Sequence, residues 1–296
     1  MKRGLTILIT IALLCVFAFS FSACKTKIPD GVELSIMSFN IRQDTTMDIG
    51  TKHWNTRKGY LIDHIKENAP AFVGMQEVKE NQAEDIKAGL DEYDVIWYSR
   101  STDNSEEGLA IAYRKDTFDL VSEDMFWFSN TPDVQSKGFG ATFLRICVHA
   151  VLKEKTSQKE ISVYCVHLEV IGDEPRNKEI EMVIDRINQN DSGRAVVVLG
   201  DFNTTSDSEC FEKLSKVLAS TQDTALETEY GITYQDFGSK QEPTEDLEHQ
   251  TIDFIFTSKD FFAKKFEILK EHKEKDGKAI YYSDHYAIKA GVILVQ

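Results

Sequence analysis

The chain has 296 residues, with 34 basic and 49 acidic side chains and a formal net charge of −15. This acidic balance argues against a protein that holds nucleic acid over a broad basic surface, although it leaves room for a local basic pocket. The length is compatible with one large α/β domain, and no linker-like or repetitive segment divides the sequence.

Residues 1–23 have the pattern of a secretory signal peptide, because Lys2 and Arg3 precede an apolar stretch that ends in small residues. The run Phe21-Ser22-Ala23-Cys24 resembles a bacterial lipobox, with phenylalanine in place of the usual aliphatic residue. We expect lipidation of Cys24, a tether over residues 24–31, and export to the bacterial cell envelope, at the outer membrane or the periplasmic face. An ordinary signal peptide and an uncleaved anchor are the alternatives. Cleavage would remove two basic residues and no acidic one, which changes the net charge from −15 to −17.

Apolar periodicity and turn residues predict the elements of the remaining chain. Strands are expected at 33–41, 71–76, 95–98, 109–113 and 118–128, a hairpin at 142–152 and 161–168, and strands at 196–199, 252–256, 266–269 and 288–295. Helices are expected at 55–68, 79–90 and 173–188, and after a capping box that begins at Ser206, with Val217 facing inward. Residues 221–249 are polar and irregular. This mixture predicts an α/β (α+β) domain with mixed sheets over residues 32–296.

Polar residues recur where these strands begin or end: Asn40 and Arg42, Gln76 and Glu77, His167, Asp201 and Asn203, Asp253, and Asp284 with His285. Each alone has an ordinary explanation, since Asp and Asn are common turn residues and a single histidine is usually structural. Six such groups in one chain favour a shared site for metal or phosphate. Alternation along an extended strand would also point Asp201 and Asn203 to the same side.

The series SFNIR, MQEV, VHL, GDFN, IDFIF and SDHY resembles the endonuclease/exonuclease/phosphatase superfamily, the fold of deoxyribonuclease-I-like enzymes. The resemblance covers residues 33–295, and HWNTRKGYLIDHI and EGLAIAYRKD are similar to bacterial branches of that family. It implies a four-layer sandwich of two mixed β-sheets face to face, with helices on the outside and the active site at one edge. It also implies a metal-dependent hydrolase of phosphate esters that uses Mg²⁺, with Mn²⁺ as an alternative.

The resemblance assigns the metal and the attacking water to three acidic positions and one amide. Glu77 is similar to the main Mg²⁺ ligand of the family, with Asn40 beside it and Asp284 as a further candidate ligand. Carboxylates suit this oxygen-preferring ion. Asp201 is similar to the general base that activates water, or to a ligand of a second metal ion.

The same resemblance assigns the phosphate to the histidines and their neighbours. His167 and His285 would hold the phosphate oxygens and stabilise their charge, and Asp253 would orient His285. Asn203 would orient the water or the phosphate. The remaining candidate substrate contacts are Asn40, Arg42 and Arg145.

Departures from the family pattern leave the substrate open. Cys165-Val166 stands before His167 where relatives often have Asn-Thr, and His149 replaces an aromatic residue. A small soluble phosphomonoester or phosphodiester is preferred over nucleic acid, which the acidic charge disfavours, and over a phospholipid. A lipid substrate would favour an exposed aromatic hairpin at 125–130, which we expect instead to pack into a sheet. A catalytically dead binding protein is disfavoured because no candidate catalytic position is eroded. We expect a monomer.

Three cysteines lie in the predicted domain: Cys147, Cys165 and Cys210. An odd number implies no disulfide framework. If the hairpin centres near Thr156, Cys147 lies directly opposite Cys165, with β-carbons about 4.5–5.5 Å apart. We expect two buried free thiols rather than a bridge, because directly paired strands seldom offer relaxed disulfide geometry.

Overall fold

The computed structural model describes residues 27–296, so the predicted leader and Cys24 lie outside the described residues. The strands are β1 (Gly31–Asn40), β2 (Phe72–Val78), β3 (Tyr93–Ser99), β4 (Gly108–Arg114), β5 (Phe118–Trp127), β6 (Ile146–Glu154), β7 (Glu160–His167), β8 (Ala195–Asp201), β9 (Ala219–Ser220), β10 (Glu227–Thr228), β11 (Asp253–Thr257), β12 (Phe261–Leu269), β13 (Lys273–Lys275), β14 (Lys278–Ile280) and β15 (Ala287–Val295). The α-helices are α1 (Trp54–Asn68), α2 (Glu80–Gly89), α3 (Asp173–Asn190), α4 (Glu209–Ser215) and α5 (Thr221–Thr224), with 3₁₀ turns at Gly50–Lys52 and Leu247–His249. None of the helices in this described part is both long and apolar enough to cross a bilayer.

Two large mixed sheets organise the domain. The first has the order β10-β12-β15-β1-β2-β4-β3 and the second the order β5-β6-β7-β8-β11-β9, with β13 and β14 forming a separate small hairpin. Strand β1 is parallel to β2 and antiparallel to β15. In the second sheet β8 is parallel to β7 and antiparallel to β11. This arrangement confirms the predicted mixed α/β architecture.

Three apolar cores show how the layers stack. Because side chains alternate along a strand, Val197 and Leu199 of β8 enter the core between the sheets, whereas Val196 and Val198 enter the core that includes Ile180 of α3 and Leu214 of α4. A third core joins α1 and α2 to the outer face of the first sheet. The molecule is therefore the predicted four-layer sandwich, with helices outside both sheets.

Local signals at the helix ends were partly misread. Helix α1 begins after His53, whose side chain accepts from the Asn55 amide, and it ends at a left-handed Ala69 before Pro70. Helix α4 begins at Glu209 and is capped by Ser208, so the prediction of a cap at Ser206 was wrong. Val217 lies after that helix and is exposed, contrary to the prediction.

The hairpin register separates the two cysteines that were predicted to face each other. Cys147 pairs with Val166 and Val148 with Cys165, so the predicted register was wrong by one residue. Since a shift of one residue turns a side chain to the other face, Cys165 lies between the sheets and Cys147 lies in the core beneath α3. Both thiols are free and buried, as expected. The aromatic run at 126–128 is also buried, which confirms that it packs into the fold.

Candidate active site

Strand register brings three of the predicted site residues side by side. His167 at the end of β7 pairs with Asp201 at the end of β8, and Asp201 pairs with Asp253 at the start of β11. Gly200 permits this close pairing: its φ is +150°, and a β-carbon there would lie 1.9 Å from the Val166 carbonyl oxygen. One edge of the second sheet therefore presents two carboxylates and an imidazole.

Asn40 connects this edge to the first sheet. Its Nδ2 donates to Glu77 Oε1 at 3.1 Å and to Asp201 Oδ2 at 3.0 Å. Its Oδ1 accepts from the Arg42 amide at 3.0 Å, which fixes the orientation of the carboxamide. Asn40 is fully buried. The strand ends of both sheets thus converge on one buried polar cluster.

His285 lies between two carboxylates. Its Nδ1 is 2.9 Å from Asp253 Oδ2, and its Nε2 is 3.7 Å from Asp201 Oδ2. Burial alone would lower the pKa of His285, but the charges of Asp253 and Asp201 raise it to about 10. Burial, followed by the charge of Asp253, raises the pKa of Asp201 above its ordinary range. His285 is therefore an imidazolium at neutral pH.

His167 has the opposite environment. Its Nε2 lies 3.6 Å from Asp201 Oδ2 and its Nδ1 lies 3.8 Å from Glu107 Oε1. Burial, followed by the positive charge of Arg145, holds the pKa of His167 well below its ordinary value. The two histidines flank the same carboxylate of Asp201 in different protonation states.

Three site residues adopt left-handed backbone conformations: Arg42 (φ 56°), Glu77 (φ 61°) and Asn203 (φ 51°). Such conformations cost a non-glycine residue about 1–3 kcal/mol and cluster at functional sites. Glu77 lies where the β2–β4 pairing is interrupted between Met75 and Val78, an irregularity that redirects its side chain.

Asn203 does not continue β8, so strand alternation with Asp201 does not apply and that reasoning was wrong. Instead its amide donates to Asp201 Oδ1 at 2.8 Å and its Nδ2 to the Leu168 carbonyl at 2.9 Å. The local turn nevertheless keeps Asn203 on the wall of the cavity that contains His167.

The Arg42 guanidinium interacts with two acidic side chains. Its Nε donates to Asp48 Oδ2 at 3.0 Å, and its Nη1 lies 3.7 Å from Asp284 Oδ2. Asp284 is buried, and its Oδ1 lies 3.2 Å from Ser283 Oγ. In this arrangement Arg42 braces Asp284, whereas the predicted substrate contact would require it to face the cavity.

Glu107 and Arg100 were missed in the sequence. Glu107 is buried, and its Oε1 lies 2.7 Å from Arg100 Nη1 and 3.8 Å from Arg145 Nη1. Burial, followed by the charge of Glu77, raises the pKa of Glu107 to about 7. The available signal was its place at the start of EGLAIAYRKD, a segment noted for its resemblance but given no role.

Arg145 is 6% exposed, and its Nε has no hydrogen-bond partner among residues 27–296. It lines a cavity of about 180 Å³ beside the buried polar cluster, together with Gln43, Glu77, Arg100, Glu107, Phe143, His167, Val170 and Asn203. A larger cavity of about 700 Å³ contains none of the predicted site residues, and the lysines in its wall form salt bridges to Glu33 and Glu267. The smaller cavity is therefore the candidate substrate site.

Two sets of side chains could hold a metal ion. Ligand atoms of Asp201, Asp253 and His285 lie within 4.8 Å of one another, but Asp253 and His285 already share a hydrogen bond. Glu77 and Asp284 offer carboxylate oxygens, which match the preference of Mg²⁺, whereas Asn40 turns its Nδ2 toward Glu77 and has its Oδ1 bound by the Arg42 amide. The donor chemistry of the second set fits the predicted ion.

Comparisons with known proteins identify the family. The sequence profile of the Endonuclease/Exonuclease/phosphatase family matches residues 37–285. The chain is 30% identical over 211 residues to the uncharacterized protein L388 of Acanthamoeba polyphaga mimivirus, covering 66% of this chain and 77% of that protein.

Solved structures show the same fold. An endonuclease/exonuclease/phosphatase from Bacteroides vulgatus is 32% identical with a TM-score of 0.80, over 89% of this chain and 99% of that one. A mannosyl-6-phosphatase from Bacteroides thetaiotaomicron is 27% identical with a TM-score of 0.80, over 88% and 99% of the two chains. D. rerio TDP2 complexed with single-strand DNA product is 16% identical with a TM-score of 0.68, over 88% and 98%, and shows the fold alone.

Proposed function

The chain belongs to the endonuclease/exonuclease/phosphatase family of phosphoester hydrolases, and we propose that it is a Mg²⁺-dependent enzyme that cleaves a small phosphate ester by in-line attack of water. The observation that carries this proposal is the buried convergence of both sheets on Asp201. Asn40 links that carboxylate to Glu77, and a histidine lies on each side of it.

The metal would be held by Glu77 and Asp284, with Asn40 orienting Glu77 through its Nδ2, and Mn²⁺ is the alternative ion. When bound, it would offset the negative charge of the phosphate and polarise its oxygens. The left-handed backbone at Glu77 and the Arg42 brace on Asp284 support this assignment, since both fix the direction of a carboxylate. A second ion at Asp201 remains the alternative, favoured by the proximity of Asp253 and His285.

Asp201 is the proposed general base. The Asn203 amide holds Oδ1, and Oδ2 faces Asn40 and both histidines. As water attacks phosphorus, one of its protons passes to the Asp201 carboxylate while the bond from phosphorus to the leaving oxygen breaks. A raised carboxyl pKa suits this task, because a base works best when its pKa lies near the operating pH.

The two histidines and Arg145 stabilise the phosphate. His285 supplies a full positive charge, which Asp253 maintains. His167 is neutral and donates a single N–H, and Arg145 adds a guanidinium with an unsatisfied Nε. Each such interaction with the developing charge is worth roughly 10²–10³-fold in turnover.

The substrate proposed is a phosphomonoester of about the size of a sugar phosphate. The cavity of about 180 Å³ offers Arg145 to a phosphate and the partly exposed side chains of Phe143 and Val170 to the rest of the molecule. The mannosyl-6-phosphatase with the same fold supports this class. The net charge of −15 disfavours nucleic acid. Attachment to the bacterial envelope through Cys24 is part of the same proposal and is supported by the N-terminal sequence pattern.

A substrate panel tests the proposal. Purified protein with Mg²⁺ is assayed against hexose 6-phosphates, nucleoside monophosphates, bis(p-nitrophenyl) phosphate, single-stranded DNA and phospholipid vesicles. We expect phosphate release from small esters and a loss of roughly 10²–10⁴-fold in Asp201→Asn, which keeps the shape of the base but removes its proton affinity. Cleavage confined to DNA or vesicles, or equal rates in Asp201→Asn, would contradict the proposal.

A further inference from the structure

Arg57 of helix α1 is fully buried, and within residues 27–296 its side chain donates hydrogen bonds only to backbone carbonyls. Its Nε donates to Lys52 O at 2.9 Å, its Nη1 to Ile41 O at 2.5 Å and Tyr282 O at 2.9 Å, and its Nη2 to Arg42 O at 2.6 Å. A buried guanidinium without a carboxylate in contact is costly. Burial lowers the pKa of Arg57 to about 10, so the group is still charged at neutral pH.

Three of these four carbonyls belong to the two loops that carry Asn40 and His285. Ile41 and Arg42 directly follow Asn40, and Tyr282 directly precedes Ser283, Asp284 and His285. One nitrogen, Nη1, holds Ile41 and Tyr282 together. Ser283 also joins the two loops, because its Oγ donates to the Asn40 carbonyl at 2.6 Å.

Arginine is suited to this task because its planar group carries five N–H donors in a fixed fork. A lysine ammonium keeps the charge but concentrates its donors on one atom, which cannot reach all four carbonyls. The guanidinium also packs against aromatic rings, with its carbon 5.0 Å from the Trp54 ring and 5.9 Å from the Phe237 ring. These contacts leave the group little freedom to move.

We propose that Arg57 is a positioning residue that fixes Asn40 relative to Asp284 and His285 by clamping the backbones of their two loops. The proposal rests on the proposed function for its catalytic consequence, because that function places all three residues in the active site. A misplacement of about 1 Å in such a site costs roughly 100-fold in rate. The clamp itself is a property of the fold and can be measured without a substrate.

The kinetic test uses Arg57→Lys and Arg57→Met, with Leu61→Ala as the matched control. Leu61 is equally buried on the same helix but lies in its apolar core. We expect kcat to fall roughly 100-fold in both Arg57 variants, with KM within a few-fold of wild type. Leu61→Ala should lower the melting temperature but keep kcat per folded molecule. Wild-type kcat in Arg57→Lys, or a loss that only tracks the unfolded fraction, overturns the proposal.

Ser283→Ala supplies a second check, because Ser283 joins the same two loops. If Arg57 and Ser283 fix the same arrangement of the two loops, the fold-loss of activity in the double variant Arg57→Met/Ser283→Ala is smaller than the product of the two single fold-losses. Independent structural effects would multiply, which would overturn the clamp.

Hydrogen exchange separates this proposal from the proposed function. In Arg57→Met, amides at 40–43 and 281–285 should exchange at least 10-fold faster than in wild type, while the central strand β8 keeps its protection. Leu61→Ala should show no such selectivity. If the wild type hydrolyses no ester, the proposed function fails and exchange still decides the clamp: selective deprotection of both segments supports it, and unchanged or uniform exchange overturns it.

Discussion

Replacing Asp253 with asparagine should move the alkaline limb of the activity–pH profile to lower pH. Asp253 Oδ2 lies 2.9 Å from His285 Nδ1, and both residues are buried. Among the charges that oppose burial and raise the pKa of His285 to about 10, that of Asp253 is the largest. Asparagine keeps the shape of the side chain but removes this charge.

The size of the effect follows from the same contact. An opposite charge in contact shifts a pKa by about 1–3 units, so the pKa of His285 should fall from about 10 to about 7–9. The imidazolium is then lost at a lower pH, and activity with it. At neutral pH we expect kcat to fall roughly 10²–10³-fold, since part of the charge stabilisation and the fixed ring orientation are lost together.

The assay measures kcat and kcat/KM from pH 5 to 10 with the best ester of the panel. The NMR chemical shifts of the His285 imidazole are followed over the same range to report its protonation. Asp191→Asn is the matched control, because Asp191 is a buried carboxylate that bonds Ser162 and Tyr164 away from the site. The control should lose stability without moving the alkaline limb. An unchanged limb in Asp253→Asn would refute the assignment of His285 as the positive charge.

Three further changes test other parts of the molecule. Glu77→Ala should weaken Mg²⁺ binding, measured by calorimetry, and lower activity at limiting Mg²⁺; unchanged affinity would rule out Glu77 as a ligand. Glu179→Gln should stabilise the protein more at pH 8 than at pH 5: burial raises the pKa of Glu179 to about 8, so the folded wild type holds a proton that the unfolded chain releases, and its stability falls as pH rises from about 4.5 to 8. Thermal unfolding across that range checks this, and parallel curves for wild type and variant would contradict it. Cys24→Ser should move the protein from the membrane fraction to the soluble fraction on cell fractionation; equal distribution of both forms would exclude the lipid anchor.

The strand ends of this site could be predicted from the sequence because each carries a recognisable pair of signals. A buried apolar run stops, and a carboxylate, carboxamide or imidazole follows, as at Asn40, His167 and Asp201. The resemblance then supplied the layer order, which the three cores confirm. Strand register brings these ends together, and the pairing of Asp201 with both His167 and Asp253 depends on strands far apart in the chain.

The residues that were missed act through partners that periodicity does not reveal. Glu107 lies near His167, 60 positions later in the chain, and near Arg145, 38 positions later. Arg57 hydrogen-bonds to Tyr282, which is 225 positions later. Both lie in segments that were noted for their resemblance, yet nothing local distinguishes them from surface charges. The cysteine register failed for a different reason. The hairpin centres between Thr156 and Ser157 rather than on Thr156, and half a residue of error at the turn reverses the face of every side chain.

The two histidines illustrate how environment divides one residue type into two roles. His285 lies between Asp253 and Asp201, whose charges outweigh the effect of burial and keep it protonated. His167 lies beside Glu107, but the Glu107 carboxyl group forms a salt bridge with Arg100 and has a raised pKa of about 7. Burial and the nearby Arg145 therefore prevail at His167 and keep it neutral. In the proposed mechanism, a phosphate at Asp201 would meet the positive charge of His285 on the Asp253 side and the neutral donor His167 on the Glu107 side. The two environments thus avoid placing two imidazolium ions against the same Asp201 carboxylate, where their mutual repulsion would oppose both.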